Sequence, residues 1–150
     1  MQLTRAADYA VRVMIHLAGL PPATRVSRSE LASAAECPEQ FLSKVLQHLT
    51  RAGLIVSHRG NTGGFELEDG HRAATLLEVI EAIEGPVRLN ICVTSDRACN
   101  RQGPCPAHSV WVDAQQAMVS VLGNANIADL AKREEAAPPS LTRIETPKWN

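Results

Sequence analysis

The sequence predicts a mainly α fold carrying one small β-hairpin. Three observations predict it: apolar residues recur at three- and four-residue steps along several segments, two capping boxes mark helix starts, and a glycine-rich stretch separates two alternating runs. With 150 residues, 45% of them hydrophobic, the chain is long enough to bury a core.

Thr4 can cap a first helix whose Val11, Met14, Ile15 and Ala18 fall at i, i+3, i+4 and i+7, and Gly19 to Pro22 end it. Ser27-Arg28-Ser29-Glu30 is a capping box opening a short helix that buries Leu31 and Ala34. Pro38 suits the first position of a third helix, with Phe41, Leu42, Val45, Leu46 and Leu49 as its inward stripe and Gly53 as its stop. Two helices joined by three or four residues, the second polar on its outer face, make a helix-turn-helix. Ile55 to His58 and Phe65 to Leu67 alternate as strands around Arg59-Gly60-Asn61-Thr62-Gly63-Gly64, whose three glycines permit the positive φ of a tight hairpin. That hairpin is a wing.

Thr75-Leu76-Leu77-Glu78 is the second capping box, and Leu76, Ile80 and Ile83 line one face of its helix before Gly85-Pro86. A long helix is expected from Pro106 to about Leu122, with Val110, Ala114, Ala117, Met118 and Val121 along one side. Small and aliphatic residues on that stripe allow close approach of a second helix, so a homodimer is expected. Asn126 can cap a last helix that turns Ile127 and Leu130 inward. The organisation is thus a winged helix-turn-helix domain over 1–85, a cysteine loop over 86–105, a dimerisation helix and terminal helix over 106–133, and a disordered tail over 134–150.

The net charge of −1 conceals an asymmetry: residues 1–60 hold seven Lys/Arg against four Asp/Glu, and residues 61–150 hold eight against twelve. A basic front and an acidic back suit a molecule that turns one face toward phosphates. Arg5, Asp8, Arg12 and His16 interrupt every apolar run a signal peptide would need, and no stretch approaches the roughly 20 apolar residues of a membrane span. A cytoplasmic protein is expected, in which clustered thiols serve metal or redox chemistry. No nucleophile elbow, P-loop or convincing pair of carboxylates points to an enzyme.

With Phe41, Val45 and Leu49 turned inward, Gln40, Ser43, Lys44 and Gln47 face outward, where they can read a major groove: Gln pairs with adenine, Lys reaches guanine or phosphate, and Ser contacts either. Arg59 at the hairpin tip can enter a minor groove, with Gly60 beside it letting the backbone approach closely. Arg28, with Arg5 and Tyr9, is a weaker candidate for phosphate contacts. Arg5 and Arg12 equally suit pairing with Asp8 along their own helix.

Cys92, Cys99 and Cys105 are separated by six and five residues, without the two-residue knuckles of structural zinc sites. Three thiolates on a long loop suit an iron–sulfur cluster, which takes four protein ligands in its usual forms. Cys105, just before Pro106, is expected as an N-cap, where free amides and the positive helix end favour a thiolate. His108 at the third helical position would then fold back toward it, a fourth ligand beside Cys105. Arg88, Arg97 and Arg101 flank the thiolates and can offset a cluster's charge. Cys37 stands apart and reads as a packing residue.

The opening Met1-Gln2-Leu3-Thr4-Arg5 with Asp8-Tyr9-Ala10, the stretch Phe41-Leu42 through Ala52-Gly53-Leu54, the run from Ser57 to Leu67 and the three cysteines resemble the Rrf family of bacterial regulators, the IscR, NsrR and RirA group, over about residues 1–133. The resemblance implies a dimeric winged helix-turn-helix transcription factor with one iron–sulfur cluster per subunit, either 2Fe–2S or 4Fe–4S. It matches Arg59 to a minor-groove arginine and Cys92, Cys99 and Cys105 to ligands. Cys105-Pro106-Ala107-His108 looks like the histidine-ligated pattern, whereas Asp8 matches an aspartate donated by the partner subunit in some relatives. The capping argument favours His108. The expected function is a repressor of double-stranded promoter DNA whose affinity follows iron status, redox stress or nitric oxide through the cluster. The alternative is a cluster-free regulator of the same fold that uses the cysteines as a thiol switch or zinc clip, as the CymR-like branch does without a cluster.

Overall fold

The computed structural model describes residues 3–60, 63–68, 74–94, 99–100 and 103–136. The expected tail beyond residue 136 lies outside them, as do Asn61, Thr62, Arg97 and Arg101.

Helix α1 (Arg5–Gly19) begins where the Thr4 hydroxyl accepts a hydrogen bond from the Ala7 amide at 3.4 Å. It buries Ala7, Ala10, Val13, Met14, Leu17 and Ala18, while Val11 and Ile15 of the expected stripe lie part-buried at its margin. The buried face is wide because α1 is packed by helices on more than one side. Both halves of the capping box at Ser27 are made, with the Ser27 hydroxyl accepting from the Glu30 amide at 3.3 Å and the Glu30 carboxylate accepting from the Ser27 amide at 2.8 Å. In α2 (Arg28–Ala34) the inward residues are Leu31 and Ala32, and Ala34 is exposed, contrary to expectation. Ala35 supplies the second inward contact one turn after Leu31, which rotates Ala34 to the outside.

Pro38 is the N-cap of α3 (Glu39–Arg51) rather than its first helical residue. Leu42, Val45, Leu46 and Leu49 are buried, but Phe41 is 41% exposed. Its ring meets that of Tyr9 on α1 edge-on, centroids 5.7 Å apart, so it packs at the rim of the α1–α3 contact instead of inside it.

Strands β1 (Ile55–His58) and β2 (Gly64–Leu67) pair antiparallel from Ile55↔Leu67 to His58↔Gly64. Val26, ahead of α2, makes an antiparallel bridge to Phe65 with reciprocal bonds of 2.9 and 2.8 Å, fastening the hairpin to the helix-turn-helix. Of the three hairpin glycines only Gly60 uses a positive φ, +101°. Gly64 serves a close approach: a Cβ there would lie 2.8 Å from the Val26 carbonyl oxygen.

Helix α4 (Leu76–Glu84) starts at a complete capping box on Thr75 and buries Val79 and Ile80, with Leu76 and Ile83 packed against the core. A single 3₁₀ turn, Ile91–Val93, precedes α5 (His108–Asn124), which starts and ends two residues later than expected and packs on α4 and that turn. None of its residues is buried; Val110 and Val121 are 63% and 69% exposed. Helix α6 (Ile127–Ala136) runs past the expected end near Arg133. Its start is stitched to that of α4, the Leu76 amide bonding the Ala125 carbonyl at 2.8 Å and the Ile127 amide bonding the Ala74 carbonyl at 2.9 Å. The Asn126 side chain accepts from the Ala128 amide at 2.8 Å, as a cap does. From there α6 lies against α1, and Ile127 and Ala131 enter the same core as α1 to α3.

Because Ile127 is fully buried among α1 side chains, Ile127→Ala is expected to lower unfolding stability by about 2–5 kcal/mol. Urea unfolding followed by circular dichroism measures this; a loss within the roughly 0.5 kcal/mol of ordinary surface substitutions would show that α6 does not belong to this core.

Candidate nucleic-acid interface and cysteine loop

Burial sets the outer face of α3. Burial of Leu42, Val45, Leu46 and Leu49 leaves Gln40, Lys44 and Gln47 exposed and Ser43 partly so, its hydroxyl donating to the Glu39 carbonyl at 3.3 Å. Between this face and the hairpin runs a groove of about 450 Å³, lined by Arg28, Ser43, Gln47, Thr50, Arg51 and Ser57 over a floor of Leu46 and Phe65. Arg28 does not project freely; its Nε lies 2.8 Å from the Glu39 carboxylate, which ties the start of α2 to the start of α3. Arg59 and Gly60 stand exposed at the end of β1, next to the turn. Sequence reasoning missed Arg51 and Ser57. Arg51 was legible in principle, because residues 43, 47 and 51 share one side of a helix at four-residue steps; Ser57 depends on how the hairpin docks.

The wing is braced by charge. The His58 ring and the Glu66 carboxylate face each other across the strands at 2.7 Å, and Arg25 reaches the second Glu66 oxygen at 3.4 Å. The hydrogen bond from the His58 ring, then Arg25, hold the Glu66 carboxyl below the usual carboxylate range against its partial desolvation. The Ser27 hydroxyl and amide likewise lower Glu30. On α1, Arg12 meets Asp8 at 3.0 Å and Glu36 at 3.2 Å, the bland pairing expected for Arg12. Asp8 therefore sits on α1 beside its own guanidinium partner.

The four cysteines form no disulfide. Cys37 lies in the core at 7% exposure, and burial pushes its thiol up, which disfavours the thiolate. Cys92 is buried in the 3₁₀ turn, and Cys99 and Cys105 are half-buried. The base of the loop is clamped by Gln115 of α5, whose amide oxygen accepts from the Leu89 amide at 2.8 Å and whose amide nitrogen donates to the Val87 carbonyl at 2.7 Å. Arg88, expected to offset cluster charge, donates to the Val93 carbonyl at 3.1 Å and so braces the turn holding Cys92.

Cys105 is not the N-cap of α5, and His108 is not its third residue: Ala107 caps, without a side-chain bond, and His108 comes first. The expectation of a thiolate stabilised by capping loses its premise. The reason is a turn, in which the His108 amide bonds the Cys105 carbonyl at 3.1 Å and Ala107, at φ −85° and ψ −7°, holds the third position of a type I geometry that Pro106 suits at the second. Cys105 and His108 are still brought close, through the turn rather than the cap. Nδ1 of His108 is buried with no hydrogen-bond partner among the described residues, a state that costs about 1–3 kcal/mol and that coordination of a metal would relieve. Three thiols and this nitrogen are the donor types an iron–sulfur cluster takes, so the residues present fit that group chemically. Among the described residues no three such side chains are already gathered into a metal-binding group, and no helix is long and apolar enough to cross a membrane.

The family model for iron-dependent transcriptional regulators named Rrf2 matches residues 3–133. A protein of Mycobacterium tuberculosis named as an HTH-type transcriptional regulator is 34% identical over 132 residues, covering 87% of this chain and 81% of that protein. CymR, the global cysteine regulator of B. subtilis, superposes with a TM-score of 0.75 at 25% identity over 89% of this chain and 98% of its own. IscR of T. potens gives 0.67 at 26% identity over 95% and 94%.

The lowered Glu66 carboxyl is expected to make the wing acid-sensitive. A carboxyl depressed in the folded state contributes stability that is complete above the unfolded value, about 4.3, and is lost as pH falls through the folded value. Wild type is therefore expected to exceed Glu66→Gln in stability at neutral pH, with the two converging in acid. Denaturant midpoints taken across that range measure it, and a gap independent of pH would refute it.

Proposed function

Because the chain belongs to the Rrf2 family of transcriptional regulators, we propose that it is a homodimeric, cytoplasmic repressor of promoter DNA whose affinity is set by an iron–sulfur cluster on Cys92, Cys99, Cys105 and His108. The observation that carries this reading is the donor set: three cysteines on one loop together with a histidine whose buried Nδ1 has no partner among the described residues. Asp8 from the partner subunit is the rival fourth ligand, but it is engaged by Arg12 at 3.0 Å and would have to exchange that guanidinium for the metal. The bound cluster would supply a centre sensitive to iron supply, oxidants or nitric oxide.

The chain's own residues carry the rest. Gln40, Ser43, Lys44 and Gln47 read the major groove, Arg59 and Gly60 present the wing to the minor groove, and Arg28 supports the backbone contact. The open stripe of Val110, Ala114, Ala117, Met118 and Val121 packs against a second copy. Gln115 ties the base of the cysteine loop to that same helix, so an ordered loop favours one disposition of the two DNA-reading heads. A cluster-free thiol or zinc switch is the second reading; it is favoured by the structural likeness to CymR, a cysteine regulator.

Anaerobically reconstituted protein is expected to be coloured, with iron and sulfide in near-stoichiometric amounts. His108→Ala should change its absorption and hasten cluster loss, whereas Asp8→Ala should leave both unchanged; the reverse result moves the fourth ligand to Asp8, and zinc without sulfide establishes the second reading. Independently, Arg59→Ala should weaken operator binding roughly ten- to a hundredfold, in keeping with the loss of about 1.5–3 kcal/mol for a charged hydrogen bond. Fluorescence anisotropy measures this, and unchanged affinity would exclude Arg59 from the interface.

A further inference from the structure

We propose that the groove between α3 and the hairpin seats the sugar–phosphate strand of the bound duplex, with Arg51 and Ser57 holding one backbone phosphate. The inference deepens the DNA-binding reading and rests on it. It starts from how the arginines of this half of the molecule are used. Arg12, Arg25 and Arg28 each have a carboxylate partner, Asp8 and Glu36, Glu66, and Glu39 respectively. Arg51, at the end of α3, has none among the described residues, although it is exposed and lines the groove.

The chemistry around Arg51 matches a nucleic-acid strand. Ser57 reaches the groove from β1, exposed, its hydroxyl without a partner among the described residues. Phosphate oxygens take hydrogen bonds readily from a guanidinium and a hydroxyl. The floor of Leu46 and Phe65 is apolar, suited to the face of a deoxyribose. Ser43 and Gln47 form the opposite wall. A strand lying there would have its phosphate fixed while Gln47 faces the base edges, so Arg51 is a positioning residue that sets the register of α3 in the major groove.

A competing explanation is that Arg51 only complements the negative end of the α3 dipole from its last turn. The two differ in what they move. A phosphate contact contributes to counterion release, and its loss lowers the slope of log affinity against log salt by about 1 for each subunit bound; a dipole contact changes thermal stability and leaves that slope alone.

The test measures binding of the full chain to two duplexes, one recovered by selection from a random-sequence library and one of unrelated sequence, over a salt series. Arg51→Gln is expected to weaken both duplexes by the same factor and to flatten the slope by about 1 per subunit. Arg51→Lys should restore the slope, and Ser57→Ala should weaken both duplexes with the slope unchanged. Melting curves for each variant should match wild type. Unchanged affinity and slope in Arg51→Gln, a loss confined to the selected duplex, or a fall in melting temperature with no change in slope would each overturn the proposal. Wild-type protein that binds neither duplex would instead overturn the DNA-binding reading beneath it.

Discussion

The buried face of α1 is the surface on which α2, α3, α4, α6 and strand β2 are all set. Ala7, Ala10, Val13, Met14 and Leu17 are at most 2% exposed, and Val13, Met14 and Leu17 each contribute roughly 1.5–3 kcal/mol of burial free energy. Ala7 and Ala10 are small enough for neighbouring helices to approach closely, and α2, α3, α4 and α6 all pack against this one helix. The outer face of α3 is thereby oriented by a contact made on its other side. Thr4, at the head of α1, also bonds Glu84 at the end of α4, with the carboxylate 3.1 Å from its amide, so the helix is held along its length.

The path of the chain after α4 gives α5 two attachments to that body. Gln115 holds the stretch leading into the cysteine loop, and past Asn124 the chain re-enters the core through Ile127. A helix held at its middle and just past its end cannot rotate about its axis without disturbing one anchor. The coupling proposed between order in the loop and the disposition of α5 would run through these two side-chain bonds of ordinary length.

Local signals were the legible ones. Ser27 with Glu30 and Thr75 with Glu78 announced two helix starts, because a capping box is written within four residues and closes on its own backbone. The hairpin was readable from alternation and glycine, although Gly64 is needed for the approach of Val26, from a segment far away in sequence, rather than for φ. Errors arose where partners lie elsewhere in the chain. Phe41 fits an inward stripe by spacing, yet the arc of α3 facing α1 and α4 is filled by Leu42, Val45, Leu46 and Leu49, and Phe41 is left at the edge against Tyr9. The Cys105 cap failed because Pro106 suits a turn as well as a first helical residue, and backbone geometry at Ala107 decides between them. The Gln115 clamp had no signature at all, since a glutamine on a helix face gives no sign of the carbonyl it will meet.

Charge follows the same division between local pairing and free presentation. The modest basic excess of residues 1–60 is smaller than it looks as a resource for binding phosphates, because Arg12, Arg25 and Arg28 are already engaged by carboxylates. Such exposed pairs contribute little to stability, typically under about 1 kcal/mol. What they do is fix position: Arg28 with Glu39 sets the two helices of the helix-turn-helix against each other, and Glu66 with His58 and Arg25 sets the hairpin against the segment that precedes α2. Cationic groups left without carboxylates on this face, Lys44, Arg51 and Arg59 among the described residues, stand on the outer side of α3, at its end and beside the hairpin turn. A surface with few free charges in fixed places favours register over bulk electrostatic attraction, which suits a protein of net charge −1 that must find one sequence among many.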